Sequence, residues 1–241
     1  MKQIYLSLLI ALAGSGVVSG AEQKRYELDV NDFMELKVVE GLNVDYKCVP
    51  DSAGKAVFTT TPDLASVLML ANNKGKLEMQ ISTDGVNYKG LPTITVYSNF
   101  LTRVENSGDS TVRVLSVAPG PQFKAKVIGN GRLVVRNISA TQVDASLSTG
   151  NGQIVLYGKC QSAKYGLTGT GSIQADGLKA VSVKCRSTGT GTIGCNVSET
   201  LMVVGMGSGK IYYTGNPEKI TSRSVGLKVI PLDEAAEDTS K

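Results

Sequence analysis

The sequence predicts an all-β protein wound as a right-handed parallel β-helix, a solenoid of about 20 residues per coil. Three observations lead there. A Gly or a Gly-x-Gly pair recurs: Gly108, Gly129-Asn130-Gly131, Gly150-Asn151-Gly152, Gly169-Thr170-Gly171, Gly189-Thr190-Gly191, Gly207-Ser208-Gly209 and Gly226, with successive first glycines 21, 21, 19, 20, 18 and 19 residues apart. After each pair apolar residues alternate with polar ones, as in Leu133-x-Val135, Ile154-x-Leu156, Ile173-x-Ala175, Ile193-x-Cys195 and Ile211-x-Tyr213. Before each pair they alternate again, as in Phe123-x-Ala125-x-Val127 and Val143-x-Ala145-x-Leu147. Period two inside a period of twenty marks short strands with one buried face. Gly pairs at that spacing would break any helix long enough to matter. One repeat buries too little to stand alone, so coils must stack, Ile over Ile and Gly over Gly. At about 4.8 Å per coil, six repeats make a rod of about 29 Å. The structural turn glycines Gly129, Gly131, Gly150, Gly152, Gly169, Gly171, Gly189, Gly191, Gly207 and Gly209 are expected where the chain needs positive φ or where neighbouring turns approach closely.

The elements follow in chain order. Met1-Lys2-Gln3 is a basic start, Ile4 to Val18 is apolar and broken only by small residues, and Ser19-Gly20-Ala21 precedes polar Glu22-Gln23-Lys24. That is the layout of a secretory signal peptide over residues 1–21. The apolar run is short of the ~20 residues that span a bilayer, and the first Cys is Cys48, so no lipid anchor is expected. An exported chain, periplasmic or at the cell surface and not membrane-spanning, follows as the expectation. Residues 22–104 read as a β-rich region with longer strands that packs on the solenoid. Within it Leu36, Val38, Leu42, Val44 and Tyr46 alternate, and Asn72-Asn73-Lys74-Gly75 joins two apolar runs as a hairpin. Asp63 to Ser66 starts no more than a helical turn, and Ile94 to Val104 leads into the first coil. Residues 105–232 are the β-helix coils, and residues 233–241 form an acidic tail expected to be disordered.

Composition removes several functions. The chain has 241 residues, 41% of them apolar and 19% charged, enough to bury a core. It has no His, which excludes Ser-His-Asp and Cys-His hydrolases and His-ligated metal sites. A net charge of +4, read as evenly spread, does not point to nucleic acid. Gly189-Thr190-Gly191-Thr192-Ile193-Gly194 imitates a dinucleotide fingerprint, but a strand follows it where a helix is required. Gly207-Ser208-Gly209-Lys210 imitates part of a phosphate loop, but Ile211 stands where Ser or Thr is needed.

Phe33-x-x-Leu36-x-Val38 with Gly41-Leu42-x-Val44, Lys74-Gly75-x-Leu77, Ile94-x-Val96 running into Ser107-Gly108-Asp109, and the tandem Ser/Thr-Gly-x-Gly-x-Ile units ending at Gly215-Asn216-Pro217 form a combined pattern. In it the chain resembles the bacterial putative auto-transporter adhesin, head GIN domain family, over about residues 26–232. The resemblance implies a parallel β-helix exported by a Gram-negative bacterium, with an adhesin-like role and no catalytic residues. The first and last coils depart from it by lacking the full Gly pair.

Parallel β-helices also carry polysaccharide-processing enzymes, which need carboxylates stacked on adjacent coils. Glu199 and Glu218 are the nearest approach to such a pair, in polar turn stretches that read as solvated. No catalytic, cofactor or metal residue is therefore assigned. Cys185 and Cys195 fall on inward positions, Cys160 in a turn stretch and Cys48 in the N-terminal region, with no CxxC spacing. They read as buried thiols acting as small apolar residues. The candidate surface-binding residues are Lys124, Lys126, Lys184 and Arg186, a basic stripe broken by Asp144, Ser146 and Val204, and the outward-alternating Tyr157 and Tyr212. Outward Tyr can stack on sugar rings, whereas Tyr165 and Tyr213 alternate inward. A flat, polar solenoid face suits recognition of a glycan or protein surface through many weak contacts. The alternatives are a polysaccharide-processing enzyme and an envelope protein that assembles by coil stacking.

Overall fold

Alternation along the chain becomes seventeen strands in the computed structural model, which describes residues 22–82 and 90–232. The expected signal segment, residues 1–21, and the acidic tail, residues 233–241, lie outside the described residues. The strands are β1 (Lys24–Asp29), β2 (Glu35–Val39), β3 (Val44–Cys48), β4 (Lys55–Thr60), β5 (Leu68–Asn73), β6 (Lys76–Ile81), β7 (Ile94–Ser98), β8 (Arg103–Ser107) and β9 (Thr111–Val114). They continue as β10 (Gly120–Ile128), β11 (Arg132–Ser148), β12 (Gln153–Gly169), β13 (Ser172–Gly189), β14 (Thr192–Met206), β15 (Lys210–Thr214), β16 (Lys219–Val225) and β17 (Lys228–Pro231). One turn of α-helix, α1 (Pro62–Ser66), follows β4.

The chain winds as a β-solenoid with two long walls. Strands that precede the turn glycines form the front wall, and strands that follow them form the back wall. The coils are in register. On the back wall Ile94, Val44, Val112, Leu133, Ile154, Ile173, Ile193, Ile211 and Val229 form one column through successive parallel pairings. All but Val229 are fully buried. On the front wall Leu77, Leu36, Val104, Ala125, Ala145, Tyr165, Cys185, Val203 and Ser222 stack in the same way. Each fully buried aliphatic side chain contributes about 1.5–3 kcal/mol, so the columns are the main source of stability. Tyr165, the largest side chain in its column, fits because small residues (Ala145 and Cys185) stand above and below it.

The paired glycines divide two tasks. The first of each pair takes positive φ, as at Gly189 (123°) and Gly207 (131°). A Cβ on Gly207 would also lie 2.1 Å from the Gly189 carbonyl oxygen. The second of each pair is needed for close approach alone: a Cβ on Gly171 would stand 2.3 Å from the Gly152 oxygen.

Strand length runs opposite to the expectation. The strands before the repeats have 5–6 residues, while β11 to β14 have 15–18. In the repeats the chain keeps pairing with its neighbours as it rounds the corner between the walls, with only a register shift at the bend. The hairpin forms as expected: β5 and β6 are antiparallel across Lys74 and Gly75, both at positive φ.

The N-terminal strands contribute coils of their own, out of chain order. β2 lies between β6 and β8, and β3 between β7 and β9. The β6–β7 coil, which comes later in the chain, therefore stacks outside the β2–β3 coil. Antiparallel strands cover that end, β5 on β6 and β4 on β7 and β1. At the other end β16 and β17 each have a partner on one side only, and the front-wall column finishes in Ser222, whose hydroxyl hydrogen-bonds Ser224 at 2.9 Å.

Candidate functional site

Registration of the coils turns outward residues into ladders, and the ladders locate the charge. On the front wall one ladder reads Lys76, Glu35, Arg103, Lys124, Asp144, Lys164, Lys184, Met202 and Thr221. Its neighbour reads Glu78, Lys37, Glu105, Lys126, Ser146, Gly166, Arg186, Val204 and Arg223.

In the first coils these charges neutralise one another. Lys37 meets Glu78 at 2.9 Å, Arg103 meets Glu105 at 2.9 Å, and Lys126 lies 3.5 Å from Glu105. Burial alone would raise the Glu105 carboxyl. Hydrogen bonds from Arg103 and Ser107, with the charges of Lys126 and Arg103, outweigh it and hold the group below its ordinary value. Lys124 sits between Arg103 and Asp144, and Asp144 accepts hydrogen bonds from Gln122 and Gln142 at 2.8 and 3.0 Å. On the back wall Arg113 grips Asp45 with two hydrogen bonds of 2.6 and 2.7 Å.

From β12 onward the compensation stops. Among the described residues no ion pair engages Lys164, Lys184, Arg186 or Arg223. Charge is not evenly spread after all. Residues 22–149 carry fourteen Lys or Arg and fourteen Asp or Glu, while residues 150–232 carry nine and three. The candidate stripe thus divides: Lys126 is ion-paired, Lys124 forms no ion pair but stands in register beside Asp144, and Lys184 and Arg186 belong to the cationic part. Lys164 joins the latter; in the sequence it does not stand out, because only register places it between Asp144 and Lys184. In register it stands directly beside Lys184. Gly166, next to it on the strand, has ordinary φ and room for a Cβ, the nearest atom being Ser146 Cβ at 3.9 Å. The face beside Arg186 is therefore low and open.

The two outward tyrosines differ. Tyr157 is exposed, but the Arg136 guanidinium lies 5.0 Å from its ring centroid. A Cβ on Gly177 would stand 2.4 Å from the Tyr157 ring, so the ring also lies against that glycine. Tyr212 is half-buried, in register between Gly194 and Ile230 on the back wall.

Other chemistry is muted. A shallow cavity of about 370 Å³ is lined by Gly120, Ser139, Ala140, Lys159, Cys160 and Gln161, among others. Burial pushes the Cys160 thiol up to about 11, which keeps it protonated and weakly nucleophilic at neutral pH. Cys185 and Cys195 face each other across the interior of one coil, both fully buried. Their mutual hydrogen bond and then burial raise the Cys185 thiol well above its ordinary value. Glu199 and Glu218 precede the registered residues Thr200 and Lys219 and are exposed at a corner. No cluster of three or more His, Cys, Asp or Glu that could hold a metal occurs among the described residues, and none of their helices is long and apolar enough to cross a membrane.

Comparison with known proteins agrees with this architecture. The family described as "Putative auto-transporter adhesin, head GIN domain" matches residues 32–217. A crystal structure of a "putative adhesin" from Bacteroides fragilis is similar at 20% identity and TM-score 0.78, covering 90% of this chain and 99% of that one. A "putative adhesin" from Parabacteroides distasonis is similar at 19% identity and TM-score 0.72, covering 88% and 97%. A "putative lipid binding protein" from the same species is similar at 20% identity and TM-score 0.69, covering 87% and 96%. At these identities the likeness concerns the fold. No curated protein matches the chain.

Proposed function

We propose that this chain, which belongs to the "Putative auto-transporter adhesin, head GIN domain" family, is an exported, non-enzymatic protein that recognises a glycan or protein surface. The recognising face is the front wall of the coils built by β12, β13 and β14. One observation carries the reading: Lys164, Lys184 and Arg186 share an outward surface and form no ion pair, only Lys164 having a carboxylate (Asp144) beside it in register, whereas Lys37, Arg103 and Lys126 of the earlier coils are ion-paired. Unpaired cations on a flat sheet attract anionic groups over a distance and hold them through several weak contacts. Export is supported by the basic-apolar-small layout of residues 1–21. A non-catalytic role is supported by the setting of the carboxylates, Glu105 tied into ion pairs and Glu199 and Glu218 exposed at a corner.

The test is an array of bacterial and host glycans and envelope proteins, with product analysis on every hit. Binding without cleavage, reduced in Lys164→Gln/Lys184→Gln/Arg186→Gln, is the expected result. Cleavage products, or binding that ignores this triple change, would overturn the reading.

A further inference from the structure

We infer that the last two coils bind an anionic lipid surface through an apolar strip ringed by cations. On the front wall the last three outward positions of β14, Met202, Val204 and Met206, are apolar, the first two half-buried, with Val225 of β16 in register beside Met206. Met206 is 63% exposed and Val225 71%. The same ladders hold Lys184, Arg186 and Thr188 one coil below, and Thr221, Arg223 and Val225 one coil above. The strip therefore runs about 13 Å along β14, with Lys184 and Arg186 on one side and Arg223 on the other. Ile220 and Leu232, at 44% and 39%, expose further apolar surface at this open end, where Lys219 and Lys228 add charge. The opposite end of the solenoid is covered by antiparallel strands.

Large exposed side chains gathered on one face mark an interaction site, and three features choose the occupant. A second copy of the chain would bring Arg186 and Arg223 against their own kind, which is repulsive. Met206 and Val225 are exposed side by side, and the cavity at Gly120, Ala140 and Cys160 lies elsewhere. The exposed side chains of Met206 and Val225 can enter a soft apolar phase, whereas a rigid protein partner would need a matching groove. Lys and Arg one coil away reach back to headgroup phosphates while Met206 and Val225 are inserted. The acidic residues Asp233, Glu234, Glu237 and Asp238 follow in the chain and oppose this attraction, so the contact is measured on the full chain.

Flotation of the purified protein with phosphatidylcholine vesicles, with and without phosphatidylglycerol, tests this. Binding is expected only with phosphatidylglycerol, falling as salt rises. Met206→Ser/Val225→Ser should weaken it roughly tenfold, and Arg186→Gln/Arg223→Gln roughly 25-fold, about fivefold per charge. Because these positions face outward, thermal melting of both variants should match the parent. If Met206→Ser disturbs folding, Val225→Ser alone serves. Failure to float, equal flotation with neutral vesicles, or flotation unchanged by the strip variant would overturn the inference, as would capture of an acidic protein in the absence of vesicle binding.

Discussion

From β2 to β10 several outward charges of the solenoid are ion-paired, as Lys37 is with Glu78 and Arg103 with Glu105; from β12 to β16 none of the described charges is. The first part is also interleaved, with β2–β3 inside β6–β7, and its end is covered by β4 and β5. The second part adds coils in strict chain order and ends in open strands. The cross-section is shared, since one aliphatic column runs from Ile94 to Val229. Stacking of coils thus fixes the interior alone, and the exterior is free to be neutral in one part and cationic in the other.

The largest effects should come from the shared interior. Ile173→Asp, an unpaired charge at a fully buried position, should cost more than about 3 kcal/mol. Thr170→Ser, whose hydroxyl donates to the Gly150 carbonyl at 3.2 Å and which is exposed, should stay within about 0.5 kcal/mol. Equal melting of these two would break the assignment of inside and outside. Next comes the turn column: Gly207→Ala meets both positive φ and the Gly189 oxygen and should cost about 2 kcal/mol or more. Gly166→Ala, on the cationic face and free of both constraints, should be neutral or slightly stabilising by thermal melting.

Much of this interior is written in the sequence, because in-register stacking makes sequence neighbours at twenty residues into spatial neighbours. Ile154, Ile173 and Ile193 announce their column directly. The interleaving of β2–β3 with β6–β7 is not legible. It depends on a register between strands of no fixed separation, and on an excursion through β4 and β5 that resembles any meander. The candidate face was half legible. Lys184 and Arg186 stood out as a pair, but Lys164 gains meaning only from register with Lys184, and pairing of Lys126 with Glu105 needs the β8–β10 ladder. Tyr157 was expected to offer an outward ring, and alternation did place it outward. Only three-dimensional packing shows Arg136 on one side and Gly177 against it.

A smaller effect sharpens the contrast through pH. The folded Glu105 carboxyl lies below its ordinary value, so its contribution is present above that ordinary value. It is lost as pH falls through the folded value. Hydrogen exchange should therefore show the β8–β10 coils losing protection on acidification before the β12–β14 coils, and Glu105→Gln should remove that difference. Simultaneous loss in both parts, unchanged by Glu105→Gln, would show that the ion pairs do not distinguish them.

The account turns on where the free cations lie, and retention on a column of sulfated polysaccharide reads this directly. Lys164→Gln/Lys184→Gln/Arg186→Gln should elute at much lower salt than the parent, whereas Lys37→Gln/Lys126→Gln, which removes cations already paired with Glu78 and Glu105, should elute close to it. Equal losses from the two variants, adjusted for the number of charges removed, would contradict the division of the solenoid into a neutral and a cationic part.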